Sequence, residues 1–364
     1  MSSRIFGHMP DGRPVQQYEI HNERITARVT DLGAALVSCM IDGRDVALGY
    51  DTAEEYLSNA GNMGATVGRY ANRIRNGRFT LNGITYQLPC NRPPHCLHGG
   101  KVGFHQKLWR MTHCTESAIT LTLFSPDGDQ GFPGNLTVTA TYSLRDSTLE
   151  LMYTAVSDTD TVCSLANHSY WNLAGHDAGH AALGDHVFTI PSAIRCELDS
   201  DTVPTGRLCQ VEGTVFNLHR GVRLGDVLDD PALKPTRGFD HPYVLSGKWD
   251  HAASVRYDDI AMEVWTDAPC MQAYSGNGLS VIRGKSGAQY GSQTGFCLET
   301  QQFPDAPNCP SFPSAALCAG EKKIYRTEYR FIKELWHYGK ASNFGNLRYR
   351  LYRHDGAPAG SGRL

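Results

Sequence analysis

The 364-residue chain lacks the equipment that phosphate, hydride and serine chemistry require. Its nearest approach to a P-loop is Gly284-Lys285-Ser286, but the earlier glycine of G-x-x-x-x-G-K-[ST] is Leu279 here. No G-x-G-x-x-G follows a strand and opens a helix, and Ser275-Gly276 lacks the G-x-S-x-G elbow. ATP chemistry, nicotinamide-dependent transfer and serine hydrolysis lose support. Apolar runs are short. None reaches membrane-spanning length, and residues 1–12 carry no apolar leader core, so no membrane partner is expected. Neither sign of charge dominates: 34 Lys and Arg against 37 Asp and Glu leave −3, which argues against a nucleic-acid partner. The eleven cysteines are odd in number and never spaced C-x-x-C, so they read as reduced, mostly buried small hydrophobes of a cytoplasmic protein.

Convincing helical patterns are also scarce, with one short candidate over 52–58. The prevailing period is two. Leu136–Leu144, Ile119–Leu123 and Leu149–Val156 alternate as half-buried strands do. Asp11-Gly12, Asp42-Gly43, Asn82-Gly83, Asp127-Gly128 and Pro133-Gly134 punctuate them with turn chemistry. This pattern predicts an all-β protein, a large antiparallel β-sandwich. With no linker, repeat or low-complexity run, one domain over residues 1–338 is expected, and the Arg- and Gly-rich residues 339–364 read as a C-terminal extension.

Polar and aromatic groups crowd in places where a core strand would alternate. Asn167-His168-Ser169-Tyr170-Trp171-Asn172 combines an imidazole with rings and amides, which suits a wet pocket. An imidazole titrates near neutrality and can give or take a proton. Far downstream, Leu298-Glu299-Thr300-Gln301 sets a carboxylate beside apolar residues, where burial would raise its pKa toward that of a base. Gly68–Gly77 offers Asn72 and Arg73, Leu97-His98-Gly99-Gly100 a histidine on a flexed turn, and later segments Asp240 and Gln272. Each alone is equally a turn or strand-end residue. Together they suit a neutral polyol, whose hydroxyls exchange hydrogen bonds with Arg, Asn, Asp and Gln. His95, His98 and His105 lie close in sequence, but their spacing fits neither a zincin nor a finger, so no metal is expected.

In this order, GRYANRI, LHGG, PDGDQGFPGNL, NHSYWNLAG, GFDHPYVL, QAYSGN and LETQQFPDAPN resemble the aldose 1-epimerases, the galactose mutarotase family. The resemblance spans about Phe6 to Phe331. It implies a one-domain supersandwich and a cofactor-free interconversion of the anomers of free aldoses such as glucose and galactose. It casts Glu299 as the base that takes the C1 hydroxyl proton, His168 as the acid that protonates the ring oxygen, and His98 as a second histidine near that oxygen. Asn72, Arg73, Asp240 and Gln272 match sugar-gripping positions, and Tyr170 lies in the binding segment. Acid and base exchange roles on closure, so both are expected near neutrality. Gly278, His105 and Asn217 depart from the family pattern. The expected partner is a monosaccharide, with the chain a monomer or homodimer. Rival readings are a glycoside hydrolase pairing Glu299 with Asp240, a non-catalytic sugar-binding module, and a sugar-phosphate epimerase with Arg69, Arg73, Arg75 and Arg78 as its phosphate patch.

Overall fold

The computed structural model describes residues 2–58 and 61–333, so the expectation for 339–364 lies outside the described residues. Every pairing between its strands is antiparallel. Three sheets carry the architecture. The first takes the chain in order through Ser2–His8, Pro14–His21, Ile25–Thr30, Ala35–Ile41 and Arg44–Asp45. The second has nine strands and runs spatially through Arg110–Cys114, Ala118–Ser125, Leu136–Arg145, Thr148–Ser157, Lys322–Lys333, Ile260–Thr266, Asp250–Tyr257, Val187–Thr189 and Val222–Arg223. The third orders Pro204–Gln210, Ile194–Leu198, Asp240–Val244, Cys270–Tyr274 and Cys297–Gln301.

Alternation places the core. Leu136, Val138, Ala140, Tyr142 and Leu144 are buried while the residues between them are not, because successive side chains leave opposite faces of a strand. Their apolar face joins Ile20, Ala27, Val29 and Leu36 of the first sheet and Val264 of the second in one cluster. This is the packing of a sandwich.

The three alternating runs are strands, each extended by one to three residues beyond its apolar alternation. Asp42-Gly43 and Asn82-Gly83 make two-residue hairpins in which both residues have positive φ, as the right-handed twist of the flanking strands requires. The short helix runs Ala53–Ser58. Thr52 Oγ1 accepts from the Glu55 N–H at 3.3 Å and Glu55 Oε2 from the Thr52 N–H at 3.1 Å, a reciprocal cap. Two features have no counterpart in the sequence reading. One is a second helix, Gly179–Gly184. The other is the position of Lys322–Lys333, which fills the middle of the nine-stranded sheet between Thr148–Ser157 and Ile260–Thr266.

His186 ties that second helix to the sandwich. It is fully buried. Its Nδ1–H donates to the Ala182 carbonyl at 2.8 Å, and its Nε2 accepts from the Leu173 N–H at 2.9 Å, an arrangement only neutral imidazole satisfies. Burial, the main cause, pulls its pKa down to about 4. The folded state therefore refuses a proton that the unfolded chain binds near pH 6.5. Stability from this group is complete above pH 6.5 and is lost as pH falls toward 4, up to about 3 kcal/mol. Urea unfolding of native protein and His186→Gln at pH 7.5 and 4.5 should show the gap between them shrinking by about 2–3 kcal/mol on acidification. A gap that does not change with pH would refute the assignment.

Candidate active site

The third sheet assembles one wall of the site through register alone. Gln272 stands opposite Glu299, Tyr274 opposite Cys297, Asp240 opposite Tyr274, and Pro242 opposite Gln272. Residues directly opposite share a face, and every second residue returns to it. Asp240, Gln272, Tyr274 and Glu299 therefore project together from three adjacent strands, and Gln272 Nε2 donates to Asp240 Oδ1 at 2.6 Å.

The free edge of Cys297–Gln301 is taken by the NHSYWN segment. Trp171 and Phe296 exchange backbone hydrogen bonds at 2.7 and 2.9 Å. Counting three residues back from Trp171 and three on from Phe296 brings His168 abreast of Glu299. His168 Nε2 lies 3.8 Å from Glu299 Oε1, and its Nδ1 lies 3.6 Å from Cys297 Sγ. Trp171 is fully buried against Tyr329, with ring centroids 4.9 Å apart, so this splice is held from the core side.

Loops supply the opposite wall. The two-residue strand Cys96–Leu97 pairs with Arg73–Ile74. His98 then donates its N–H to the Asn72 carbonyl at 3.0 Å, and the Asn72 N–H donates to His98 Nδ1 at 3.1 Å. Both residues have left-handed φ, 63° for Asn72 and 50° for His98. The turn continues into Gly99, where a Cβ would sit 1.9 Å from the Gly68 carbonyl oxygen, so no side chain fits there.

A cavity of about 380 Å³ lies between these walls. All eight residues singled out in the sequence line it: Asn72, Arg73, His98, His168, Tyr170, Asp240, Gln272 and Glu299. Tyr274 and His105 line it as well, and the sequence reading gave neither a role. Tyr274 was legible as the residue two beyond Gln272 on the same strand face. Its hydroxyl accepts from the Gly278 N–H at 2.6 Å. Gly278 borders the cavity, whereas Asn217 does not.

The arginine quartet of the sugar-phosphate reading does not assemble. Arg69 is buried beneath the 126–134 loop, donating to the Pro133 carbonyl at 2.7 Å and Gly134 carbonyl at 3.0 Å and to Ser125 Oγ at 2.7 Å. Arg75 pairs with Asp199 at 2.8 Å, and Arg78 is exposed elsewhere. Of the four, only Arg73 reaches the cavity.

Desolvation governs the electrostatics. Burial pushes Glu299 well above the usual carboxylate range, the Asp240 charge adds to this, and Arg73 opposes it. Burial raises Asp240 too, against Arg73 and the Gln272 amide. The histidines move the other way: burial takes His168 down to about 4 and His98 well below its ordinary value. The expectation that His168 rests near neutrality is thus corrected, because a site this dry favours the uncharged imidazole; the rise at Glu299 runs in the expected direction. His168 and Glu299, shifted in opposite directions and in contact, titrate as a unit. Glu299 Oε2 and Gln272 Oε1 are buried without a hydrogen-bond partner among the described residues, which points to a polar ligand.

The ligating atoms of His98, His168 and Glu299 lie within 4.8 Å of one another, a spacing that invites comparison with a metal site. Tautomerism argues against one. The Asn72 N–H occupies His98 Nδ1, so the neutral ring carries its proton on Nε2, the atom a cation would need. Two ligands are fewer than the three that catalytic zinc sites use.

Fold and cavity together set an imidazole and a carboxylate in contact within a polar-lined cavity of an antiparallel β-sandwich. Comparison with known proteins gives the family. Residues 16–330 match the family model described as aldose 1-epimerase, and the chain belongs to that family of isomerases. It is 38% identical over 342 residues to galactose mutarotase of Mus musculus, covering 90% of this chain and 97% of that protein. It is 33% identical to aldose 1-epimerase of Haemophilus influenzae, over 88% of this chain and 97% of that protein. The solved structure of galactose 1-epimerase from Lactobacillus acidophilus superposes with a TM-score of 0.81 at 27% identity, covering 91% and 98% of the two chains. Because the tautomer of His98 disfavours metal, anomer interconversion should run at an unchanged rate after exhaustive EDTA dialysis. Loss of rate restored by zinc would overturn that argument.

Proposed function

We propose that this chain interconverts the α and β anomers of free aldoses such as glucose and galactose, with His168 and Glu299 as its proton-transfer pair. The observation that carries the assignment is the 3.8 Å approach of His168 Nε2 to Glu299 Oε1 on the wall of a cavity lined by hydroxyl-binding groups.

The reactive form of the pair holds its single proton on His168, leaving Glu299 a carboxylate, and the Arg73 charge favours that form. Glu299 removes the C1 hydroxyl proton, the C1–ring oxygen bond breaks, and His168 protonates the departing ring oxygen. The aldehyde rotates about C1–C2. On closure His168 takes back the hydroxyl proton, C1 bonds the same oxygen through its other face, and Glu299 returns a proton to the carbonyl oxygen. Protons and electrons balance over the cycle, so no cofactor is consumed. His98 offers Nε2–H to the ring oxygen, because its Nδ1 is already an acceptor. Asp240 and Gln272 hold each other and leave Gln272 Oε1 for a sugar hydroxyl. Each well-placed proton-transfer group contributes roughly 10²–10⁴ to the rate.

Every residue in this scheme comes from one chain, so a single protomer is a complete catalytic unit whether the protein is a monomer or a homodimer. Its eleven thiols are all free, which favours a reducing cytoplasm as its setting. No helix among the described residues is long and apolar enough to cross a membrane.

Polarimetry on freshly dissolved α-D-glucose and α-D-galactose tests the activity, and a glycoside hydrolase would instead release new reducing ends from glycosides. Glu299→Gln should lower kcat by at least about 10²-fold with KM nearly unchanged, since the amide keeps the shape but is no base. A variant that stays fast would remove Glu299 from the mechanism. The pH profile gives a second check. The one-proton state of the pair is lost as His168 takes up a second proton, so the acid limb of kcat/KM should fall near pH 4. A limb at pH 6.5 would mean an imidazole in contact with water.

A further inference from the structure

Beside the main cavity lies a second one of about 280 Å³, and the two share Arg73, Arg92, Thr236, Arg237 and Asp240 in their linings. They meet at the Asp240 end of the site. Among the described residues, no hydrogen bond or ion pair engages the guanidinium of Arg73, Arg92 or Arg237. The carboxylate farther out, Asp201, is already 3.4 Å from His95 Nε2. The three guanidinium groups share the groove with the Asp240 and Asp201 carboxylates, yet their N–H donors remain without a hydrogen-bond partner among the described residues, and such donors match the oxygens of a sulfate, phosphate or carboxylate.

Sheet order tells which part of a sugar would face this groove. His168 flanks Glu299 on one side, and Gln272 followed by Asp240 lies on the other. With C1 at Glu299 and the ring oxygen at His168, C2 and C3 point toward Asp240 and the groove beyond it. The C5–C6 end points away. We propose that this groove is a subsite for an oxyanion-bearing substituent on C2 or C3 of the aldose, making 3-O-sulfated and 3-O-carboxyalkyl sugars substrates alongside plain aldoses. The inference rests on the epimerase reading above for the orientation of the ring.

The test measures anomer exchange by proton NMR at low salt for glucose, 3-O-methylglucose, glucose 3-sulfate, N-acetylmuramic acid and glucuronate. Native enzyme is compared with the double variant Arg92→Gln/Arg237→Gln, which leaves the proposed catalytic and gripping residues untouched. The double variant should lose about tenfold or more in kcat/KM toward glucose 3-sulfate and N-acetylmuramic acid. Glucose, 3-O-methylglucose and glucuronate should stay within about twofold, their charge being absent or at C6. Loss confined to one of the two C3 anions upholds the subsite and shows whether sulfate or carboxylate fits it. Equal handling of the C3 anions by native and variant enzymes overturns the proposal, and so does an equal loss with glucuronate, which would mark a general field instead of a seat at C3. Glucose turnover by both enzymes with no arginine dependence for the C3 anions removes only the groove, whereas failure of native enzyme on all five sugars removes the epimerase reading itself.

Discussion

Two backbone hydrogen bonds between Trp171 and Phe296 are the constraint on which the site depends. They splice a segment beginning more than a hundred residues upstream onto the free edge of Cys297–Gln301, and so fix which residue stands beside Glu299. Side chains alternate along an extended chain, so a slip of one residue would turn His168 away from the cavity and present Asn167 or Ser169 in its place. The buried indole opposes such a slip, since a large ring packed on Tyr329 and Phe331 has no second position of equal fit. Positioning of His168 against Glu299 is thereby delegated to the hydrophobic core.

Dryness is the second consequence of that placement. Glu299 and His168 are both driven toward their neutral forms, one upward and one downward, by the same removal from water. Taken alone, each looks unsuited to its proposed role. Taken as a pair they share one titration, and whatever fills the cavity sets where a shared proton lies. Arg73 pulls toward the charged arrangement, and sugar hydroxyls bonding to Glu299 Oε2 would act in the same direction. The Asn72–His98 pair adds a fixed donor whose tautomer is determined by backbone, so it need not titrate at all.

Much of this was legible in the residues. The period-two runs became strands, and turn dipeptides such as Asp42-Gly43 became the tight hairpins their chemistry demands. Asp240, Gln272 and Glu299 line one cavity because the sheet registers that unite them put polar residues where apolar ones would otherwise alternate, and loops bring Asn72 and His98 to the other wall. Other features were not legible, for physical reasons. Arg69 reads like Arg73 in sequence, and only the carbonyls of the 126–134 loop distinguish a buried clamp from a cavity wall. The downward shift of His168 could not be foreseen either, since desolvation depends on residues distant in the chain. The place of Lys322–Lys333 at the centre of its sheet escaped notice because a strand's own pattern says nothing about its neighbours.

That central strand bears on how the protein is made. Thr148–Ser157 and Ile260–Thr266 each present an edge to Lys322–Lys333, and neither can pair there until those residues have left the ribosome. Until then each of those strands lacks the partner that closes the sheet, and an open edge is the kind of surface on which another strand can dock. Closure of the sheet is therefore a late event of large loop length and slow expected rate. A chaperone that held those edges apart until the 322–333 strand arrives would act against this hazard.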